Sequence, residues 1–278
     1  MDDNEKRVFD QVIEWIVSGR LQLKPYNPIT LKIQSINDHD VDIAKLEQMI
    51  LTDQVLAVEV LRTANSPFYS TVSPITTIRN AIVRLGTQAV KRIVLLASER
   101  ARYRSKFPDL HKIMLRLWMH VSMTALSAQW LSQRLRMTNI QEVCFLGGLL
   151  HDIGKLVILC AIDEMRRTGN ISKMMSDEAL KEFLSDNHCR IGYQILKRWE
   201  IPDVYCQIAR DHHKRDYSAE DLAMVVLRLA NNSSTPQDGD KAALPLLSDA
   251  VEAQALNIEE SVLLELQKTL GIHFSNAA

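Results

Sequence analysis

The sequence predicts an all-α protein made of two helical lobes, and three observations support this fold class. Apolar residues recur at helical spacing along most of the chain, beginning with Val8, Val12 and Ile16. No segment alternates apolar and polar residues over the length of a strand, and no Asn-Gly hairpin signal occurs. The composition, with 46% hydrophobic residues and nine Gly among 278 residues, is typical of a largely helical protein with a sizeable core.

The N-terminal lobe is predicted over residues 1–110. Its first helix ends before the Pro-containing segment 24–28, and shorter apolar stripes then end at 37–40, 65–67 and Gly86. These helix-ending segments divide the lobe into several short helices.

The segment at residues 65–69 has two interpretations. Asn65 and Ser66 are expected to satisfy the end of the preceding helix, while Phe68 and Tyr69 seal the core between the lobes. The alternative is that the same residues form a recognition loop, and we favour the structural role.

The second lobe is predicted over residues 111–278, with Pro108 at the boundary. A polar stretch, 233–240, is expected to be a mobile loop. The predicted helices are 113–135 with His120, 144–161 with His151 and Asp152, 179–199 with His188, 204–213 with His212 and His213, 222–232, and 258–270.

The adjacent His151 and Asp152 lie inside the most apolar helical stretch of the chain. A buried carboxylate is costly unless something pairs with it, and a divalent metal is one such partner because imidazole and carboxylate are good ligands for Zn, Fe or Mn. The simpler alternative is an ion pair between Asp152 and Lys155 on the same helix face. Four further histidines are candidates to converge on the same pocket: His120, His188, His212 and His213.

Charge and cysteine content exclude several function classes. The net charge of −1 gives no general attraction to nucleic acid or membranes, the acidic N-terminus is followed by no signal-like apolar core, and no uninterrupted apolar run reaches the ~20 residues of a membrane span. The four cysteines show no CxxC spacing and are interpreted as small buried apolar residues in a reducing cytoplasm; they are Cys144, Cys160, Cys189 and Cys206.

One stretch is rich in basic residues, with Glu99 and Asp109 as its acidic neighbours. It could contact a nucleotide, a nucleic acid or an acidic protein face. No aromatic residues interleave with the charges to stack on bases, so we favour a solvated helix end and loop. The basic residues are Arg100, Arg102, Arg104, Lys106, Lys112 and Arg116.

Several separate motifs in order give the chain a specific resemblance over about residues 20–230. It resembles the HDOD domain, the HD-related output domain of bacterial signalling proteins, and no receiver domain precedes it, so a stand-alone HDOD protein is expected. The motifs are LRTANSPFY at 61–69, TIRNAI at 77–82 with Leu85-Gly86, GGLLHDIGKL at 147–156, His188 with Gly192, WEIP at 199–202, and the pair His212-His213.

The resemblance implies an HD-like helical bundle in the second lobe and a set of metal ligands. HDOD proteins are related to HD phosphohydrolases and to the cyclic-di-GMP-cleaving HD-GYP enzymes, in which the ligands follow the order His, His-Asp, Asp. By position these are His120, then His151 and Asp152, and then Asn231 in place of the last Asp. His188, His212 and His213 match the extra ligands of the HD-GYP enzymes, but Lys214 stands where a glutamate is expected and no Gly-Tyr-Pro follows.

These departures favour a non-catalytic cytoplasmic signalling module that binds a small phosphorylated ligand or a signalling protein, without a membrane or nucleic-acid partner. The alternative is a metal-dependent phosphohydrolase acting on a nucleotide or phosphodiester. Either function is compatible with one divalent metal, Fe, Mn or Zn. No catalytic residue is assigned; Lys155 is a candidate phosphate contact, and a solvated partner of Asp152 is its alternative role.

Overall fold

The computed structural model describes residues 3–21, 29, 32–33, 36, 42–66, 69, 73–171, 175–214, 216–234 and 250–266. Within these residues the chain is α-helical with short turns and short 3₁₀ segments, and it has no strand, which confirms the predicted all-α class. The helices with both ends among the described residues are α1 Asp3–Val17, α2 Ile43–Leu51, α3 Gln54–Ala64, α4 Ile78–Leu85, α5 Thr87–Arg100, α6 Pro108–Arg134, α7 Gln141–Leu150, α8 Ile153–Arg167, α9 Asp177–Arg198, α10 Asp203–Asp211, α11 Leu222–Ser233 and α12 Val251–Ala255, and residues 260–266 are also helical.

The chain forms two compact units. The N-terminal unit is Lys24–Arg104, and the bundle unit combines Met1–Leu23 with Ser105–Leu266. The sequence analysis had placed residues 1–110 in one lobe, so α1 is in a different unit from the one predicted. The reason is its apolar face: Phe9 stacks on Phe183 of α9 with ring centroids 3.9 Å apart, and Val12 and Ile16 are buried.

The N-terminal unit has an apolar core whose helix ends are held by short polar side chains. Ile50, Val60 and Ile82 are fully buried in it, and Asp42 and Asp53 accept hydrogen bonds from the first backbone N–H groups of α2 and α3. Each cap satisfies donors that the helix leaves without an internal partner.

The turn after α3 has the structural role that the sequence favoured. The Asn65 side chain donates to the carbonyls of Leu61 and Ile75 and accepts from the Ile75 N–H, and Ser66 Oγ donates to the Thr63 carbonyl. Tyr69 packs against the core of the N-terminal unit itself, where a position between the lobes had been predicted. Phe68, the predicted loop 235–240 and the predicted helix end 267–270 lie outside the described residues.

The bundle unit is built around α6 and α7. The predicted boundary at Pro108 is the start of α6, five residues before the helix start that was predicted at 113, and the missing N–H of proline costs nothing in the first helical turn. The stretch Thr138–Arg167, which includes α7 and α8, is apolar and long enough to cross a membrane, but 72% of its most apolar window is buried inside the protein. The helices of a protein core are buried to a similar extent, so this stretch is weak evidence for a membrane span.

The basic stretch is only partly solvated. Arg102 is buried and lies 3.8 Å from Glu99, and Arg100 pairs with Glu59 at 3.0 Å, all within the N-terminal unit. These two arginines therefore have acidic partners inside their own unit, which differs from the solvated helix end that the sequence favoured.

Candidate metal centre

His151 and Asp152 form a break between two helices, where the sequence predicted one helix over 144–161. α7 ends at Leu150, α8 begins at Ile153, and Asp152 has φ −102° and ψ 15°. In a continuous helix, neighbouring side chains point about 100° apart. The break lets both side chains aim at one point, and His151 Nε2 lies 3.4 Å from Asp152 Oδ2.

Three more histidines, each on a different helix, meet the same carboxylate. His120 from α6 approaches Oδ2, with its Nε2 at 3.4 Å. His188 from α9 and His212 from the end of α10 approach the other oxygen, Oδ1, with their Nε2 atoms at 3.4 and 3.7 Å. We call His120 and His151 the Oδ2 side of the cluster, and His188 and His212 the Oδ1 side.

All four of these rings are oriented by their other nitrogen. Each Nδ1 lies against a main-chain carbonyl, which can only accept a hydrogen bond, so the proton belongs on Nδ1. Where such a ring is neutral, it presents its Nε2 lone pair to the centre, as histidine ligands of metals do. The contacts are His120 with Ser234 O at 3.3 Å, His151 with Gly148 O at 2.8 Å, His188 with Leu184 O at 2.8 Å, and His212 with Ile208 O at 3.1 Å.

A glycine permits the close approach of α8 and α9 that brings His188 to Asp152. A Cβ added to Gly154 would lie 1.9 Å from the carbonyl oxygen of His188 and 2.8 Å from the backbone nitrogen of Gly192. No side chain fits at that distance, so any larger residue at 154 would force the two helices apart.

The carboxyl group of Asp152 is buried and ionised. Burial by itself raises its pKa, but His151, His120 and the ammonium of Lys155 together bring that pKa well below the usual value. Lys155 Nζ lies 2.7 Å from Oδ2, which is the ion pair given above as the simpler alternative. Its role as a phosphate contact stays a prediction.

The Oδ1 side is different, because its imidazoles are neutral. Burial, with a smaller contribution from Lys155, lowers the pKa of His188, and burial with the charge of His151 lowers that of His212 to about 2. With Nδ1 donating to a carbonyl, neither Nε2 can donate to the carboxylate. Accordingly, no donor among the described residues makes a hydrogen bond to Asp152 Oδ1, which is buried.

A buried carboxylate oxygen that faces two imidazole lone pairs is a poor structural arrangement without a cation. The same donors match the ligands of divalent transition metals: several neutral imidazoles and one carboxylate, each fixed by a second hydrogen bond. The residues present therefore fit the divalent metal that the sequence analysis expected. Binding of a metal stays a prediction.

The other predicted site residues have different positions. The ring of His213 lies beside those of His212 and His188, with centroids 4.1 and 5.2 Å away, and the residue is exposed. Asn231 is buried in the last turn of α11, and its carbonyl accepts from the N–H of Ser234, whose own carbonyl contacts His120. Asn231 thus precedes by one turn the carbonyl that orients His120.

Lys214 does not point into the cluster. Its Nζ pairs with Asp211 at 2.7 Å, and half of its side chain is exposed. Arg228 from α11 donates to the carbonyls of His212 and Lys214 and pairs with Glu252, so it holds the turn that carries the paired histidines. A lysine in place of the expected glutamate would repel a second cation only if its ammonium faced the cluster, and here the ammonium pairs with Asp211 instead.

Cys189 is a candidate ligand that the sequence analysis missed. It had been interpreted as a buried apolar residue, yet it is partly exposed and its Sγ lies 3.3 Å from His188 Nε2. Ligand atoms of His188, Cys189, His212 and His213 all lie within 4.8 Å of one another. The position of Cys189 directly after His188 was the available signal, but adjacent helical residues do not normally share a face.

Comparisons with known proteins agree with the fold. The HDOD domain family profile matches residues 25–215. An HDOD domain protein of unknown function from Geobacter sulfurreducens is 22% identical, with a TM-score of 0.66 over 96% of this chain and 98% of that one. A Shewanella amazonensis protein, provisionally named a metal-dependent phosphohydrolase, is 18% identical, with a TM-score of 0.67 over 97% and 98%.

A longer relative matches at the level of sequence. An uncharacterized protein of Treponema pallidum (strain Nichols) is 24% identical over 205 residues, which are 72% of this chain and 39% of that protein. The chain therefore corresponds to less than half of the length of this relative.

Proposed function

The chain belongs to the HDOD domain family, and from this membership we propose that it is a signalling module whose bundle unit binds a divalent metal at the cluster around Asp152. The observation that carries the proposal is the state of Asp152 Oδ1, a buried, ionised oxygen between two neutral imidazoles that cannot donate to it. A divalent cation neutralises the carboxylate and uses both lone pairs.

The residues that would hold the metal come from both sides of the carboxylate. They are His120 and His151 on the Oδ2 side, His188 and His212 on the Oδ1 side, and Asp152 between them. A bound divalent ion can polarise a phosphoryl oxygen and lower the pKa of a bound water. On this proposal it anchors a small phosphorylated ligand or organises the surface for a signalling partner.

Hydrolysis is expected to be absent or very weak. Asn231 contributes no negative charge where the related enzymes have an aspartate, so the metal is less neutralised and less firmly retained. Lys155 is already paired with Asp152 Oδ2. The second candidate function, a metal-dependent phosphohydrolase, is favoured by one observation: Lys214 turns to Asp211 and leaves the histidine cluster clear of its charge.

The first test is metal content. Purified protein supplied with Mn²⁺, Fe²⁺ or Zn²⁺ and then dialysed is expected to retain at least one ion per chain by elemental mass spectrometry. His151→Ala should abolish retention while circular dichroism stays unchanged, and His111→Ala, on α6 but outside the cluster, is the matched control. Wild-type protein that retains no ion would overturn the proposal.

The second test separates the two functions. Metal-loaded protein is assayed with cyclic dinucleotides, mononucleotides and generic phosphodiesters, and we expect no turnover near the ~1–10³ s⁻¹ that is typical of enzymes. Robust turnover that disappears in His151→Ala and persists in His111→Ala would establish the phosphohydrolase in place of the signalling module.

A further inference from the structure

We propose that Cys189 is a thiolate ligand, so that the Oδ1 side is a mixed imidazole–thiolate site that takes Zn²⁺ or Co²⁺ in preference to Mg²⁺ or Mn²⁺. This inference rests on the proposed metal binding and specifies the chemistry of one side of the cluster. The residues concerned are His188, Cys189, His212 and His213, with Asp152 Oδ1 next to them.

The distances on this side are those of a metal site. Tetrahedral Zn²⁺ with bonds of about 2.1 Å to nitrogen and 2.3 Å to sulfur places its ligand atoms about 3.4–3.6 Å apart. His188 Nε2 lies 3.4 Å from His212 Nε2 and 3.3 Å from Cys189 Sγ. Two of the ligand pairs therefore already have nearly the required spacing.

The position of Cys189 is unusual for its place in the helix. Residues i and i+1 normally point about 100° apart, so an adjacent pair rarely shares one site. Here the short Cys189 side chain still reaches the inward-facing nitrogen of His188. Cys206 of α10, in contrast, donates to the Ile201 carbonyl.

A metal-bound thiolate on this side would supply negative charge that a divalent ion needs. The ammonium of Lys155 lies against Oδ2, and Oδ1 has no such cationic partner among the described side chains. A divalent ion bound near Oδ1 would be neutralised by one carboxylate charge only, and a thiolate supplies the second. His213 is exposed, which leaves this side open for entry of an ion.

The ligand types then decide which metals bind. Thiolate sulfur favours Zn²⁺ and other borderline metals, while Mg²⁺ and Mn²⁺ prefer oxygen ligands. Replacing Cys189 by serine removes the soft ligand but keeps the size of the side chain, so we expect Zn²⁺ affinity to fall by about 10–100-fold and the weak binding of Mg²⁺ to remain as it was.

The test uses Co²⁺ as a spectroscopic probe in the full chain. Co²⁺-loaded wild-type protein is expected to show a near-ultraviolet thiolate-to-cobalt charge-transfer band together with visible ligand-field bands. Cys189→Ser and Cys189→Ala should lose the charge-transfer band and keep the ligand-field bands. Cys160→Ser, at a partly exposed cysteine of α8, is the matched control and should keep both.

The outcomes are distinct. Co²⁺ that binds without the charge-transfer band, or a band that survives in Cys189→Ser, overturns the thiolate ligand and leaves the proposed metal site standing. No bound Co²⁺ at all overturns both. A second readout is alkylation: Zn²⁺ should slow modification of Cys189, located by peptide mass spectrometry, and leave the rate at Cys160 unchanged.

Discussion

The two oxygens of Asp152 have opposite environments, although they belong to one buried carboxylate. Oδ2 faces His120 and His151 and is neutralised by the ammonium of Lys155 at 2.7 Å. Oδ1 faces His188 and His212, whose neutral rings offer it only lone pairs. The Oδ2 side is therefore satisfied by the protein itself, while the Oδ1 side is arranged for a cation.

A protein can bury a charged group for a structural reason or for a functional one, and the two oxygens of Asp152 illustrate the difference. A buried ion pair can be purely structural, as with Glu99 and Arg102 in the N-terminal unit. A buried carboxylate oxygen among acceptors has no structural benefit, since the surroundings add repulsion and desolvation. Such a site is a candidate for function, and perturbed titratable groups concentrate there.

The largest expected effect is that of Asp152→Asn, which removes the only charge shared by both sides. We expect metal retention to fall below detection on each side, measured by elemental mass spectrometry and by titration calorimetry. Asp109→Asn, which disturbs a partly exposed pair with Arg166, is the control and should bind as wild type does. Metal retained by Asp152→Asn would show that the carboxylate is not a ligand.

Gly154→Ala should disrupt the Oδ1 side of the cluster and leave the Oδ2 side in place. Because the new Cβ would lie 1.9 Å from the His188 carbonyl oxygen, α9 must move and take His188 away from Oδ1. We expect the free energy of unfolding to fall by about 1–3 kcal/mol, measured by urea titration. In crystals soaked with Mn²⁺ or Zn²⁺, anomalous density should be lost near His188 and persist near His120.

Lys155→Met should make the two sides alike. Without the ammonium, Oδ2 also lacks a cationic partner, so the metal-free protein should be less stable and divalent ions should bind more tightly on the Oδ2 side. About tenfold is expected, since a nearby cation no longer opposes the metal. Calorimetric affinity that is unchanged or weaker would mean that Lys155 does not compete with the metal.

Asn231→Asp should restore a charge near the Oδ2 side. Asn231 is buried one turn before Ser234, whose carbonyl holds His120, so an aspartate there should tighten metal binding by about tenfold. The measurement is the dissociation constant for Mn²⁺ by competition with a chelator. No change would mean that residue 231 does not line the site.

The smallest effect concerns pH and the metal-free protein. An unfolded imidazole has a pKa of about 6.5, whereas the pKa of His212 in the folded chain is about 2. Between these values the unfolded chain binds a proton that the folded chain does not, so stability falls as pH decreases below 6.5, by about 1.4 kcal/mol per pH unit for one group. His212→Phe should reduce that slope by one proton in urea titrations from pH 7 to 5; an unchanged slope would show that His212 is protonated in the folded state.

The sequence by itself determined the all-α class, the helix end at Asn65, the boundary at Pro108, and the order in which His120, His151 and Asp152 occur. These follow from short-range rules, since helical periodicity and the preferences of Asn and Pro depend on neighbouring residues only. The motif order also gave the HDOD family, which the matched residues 25–215 confirm.

Only the tertiary structure decided how these residues are used. It placed α1 in the bundle unit through Phe9 and Phe183, broke the helix at His151, and assigned two imidazoles to each oxygen of Asp152. It also brought His212 and His213 to the sulfur of Cys189. Each of these depends on residues far apart in the chain, or on a turn whose direction is set by packing. A pattern of single residues carries no information about which atom of a carboxylate a distant helix will meet.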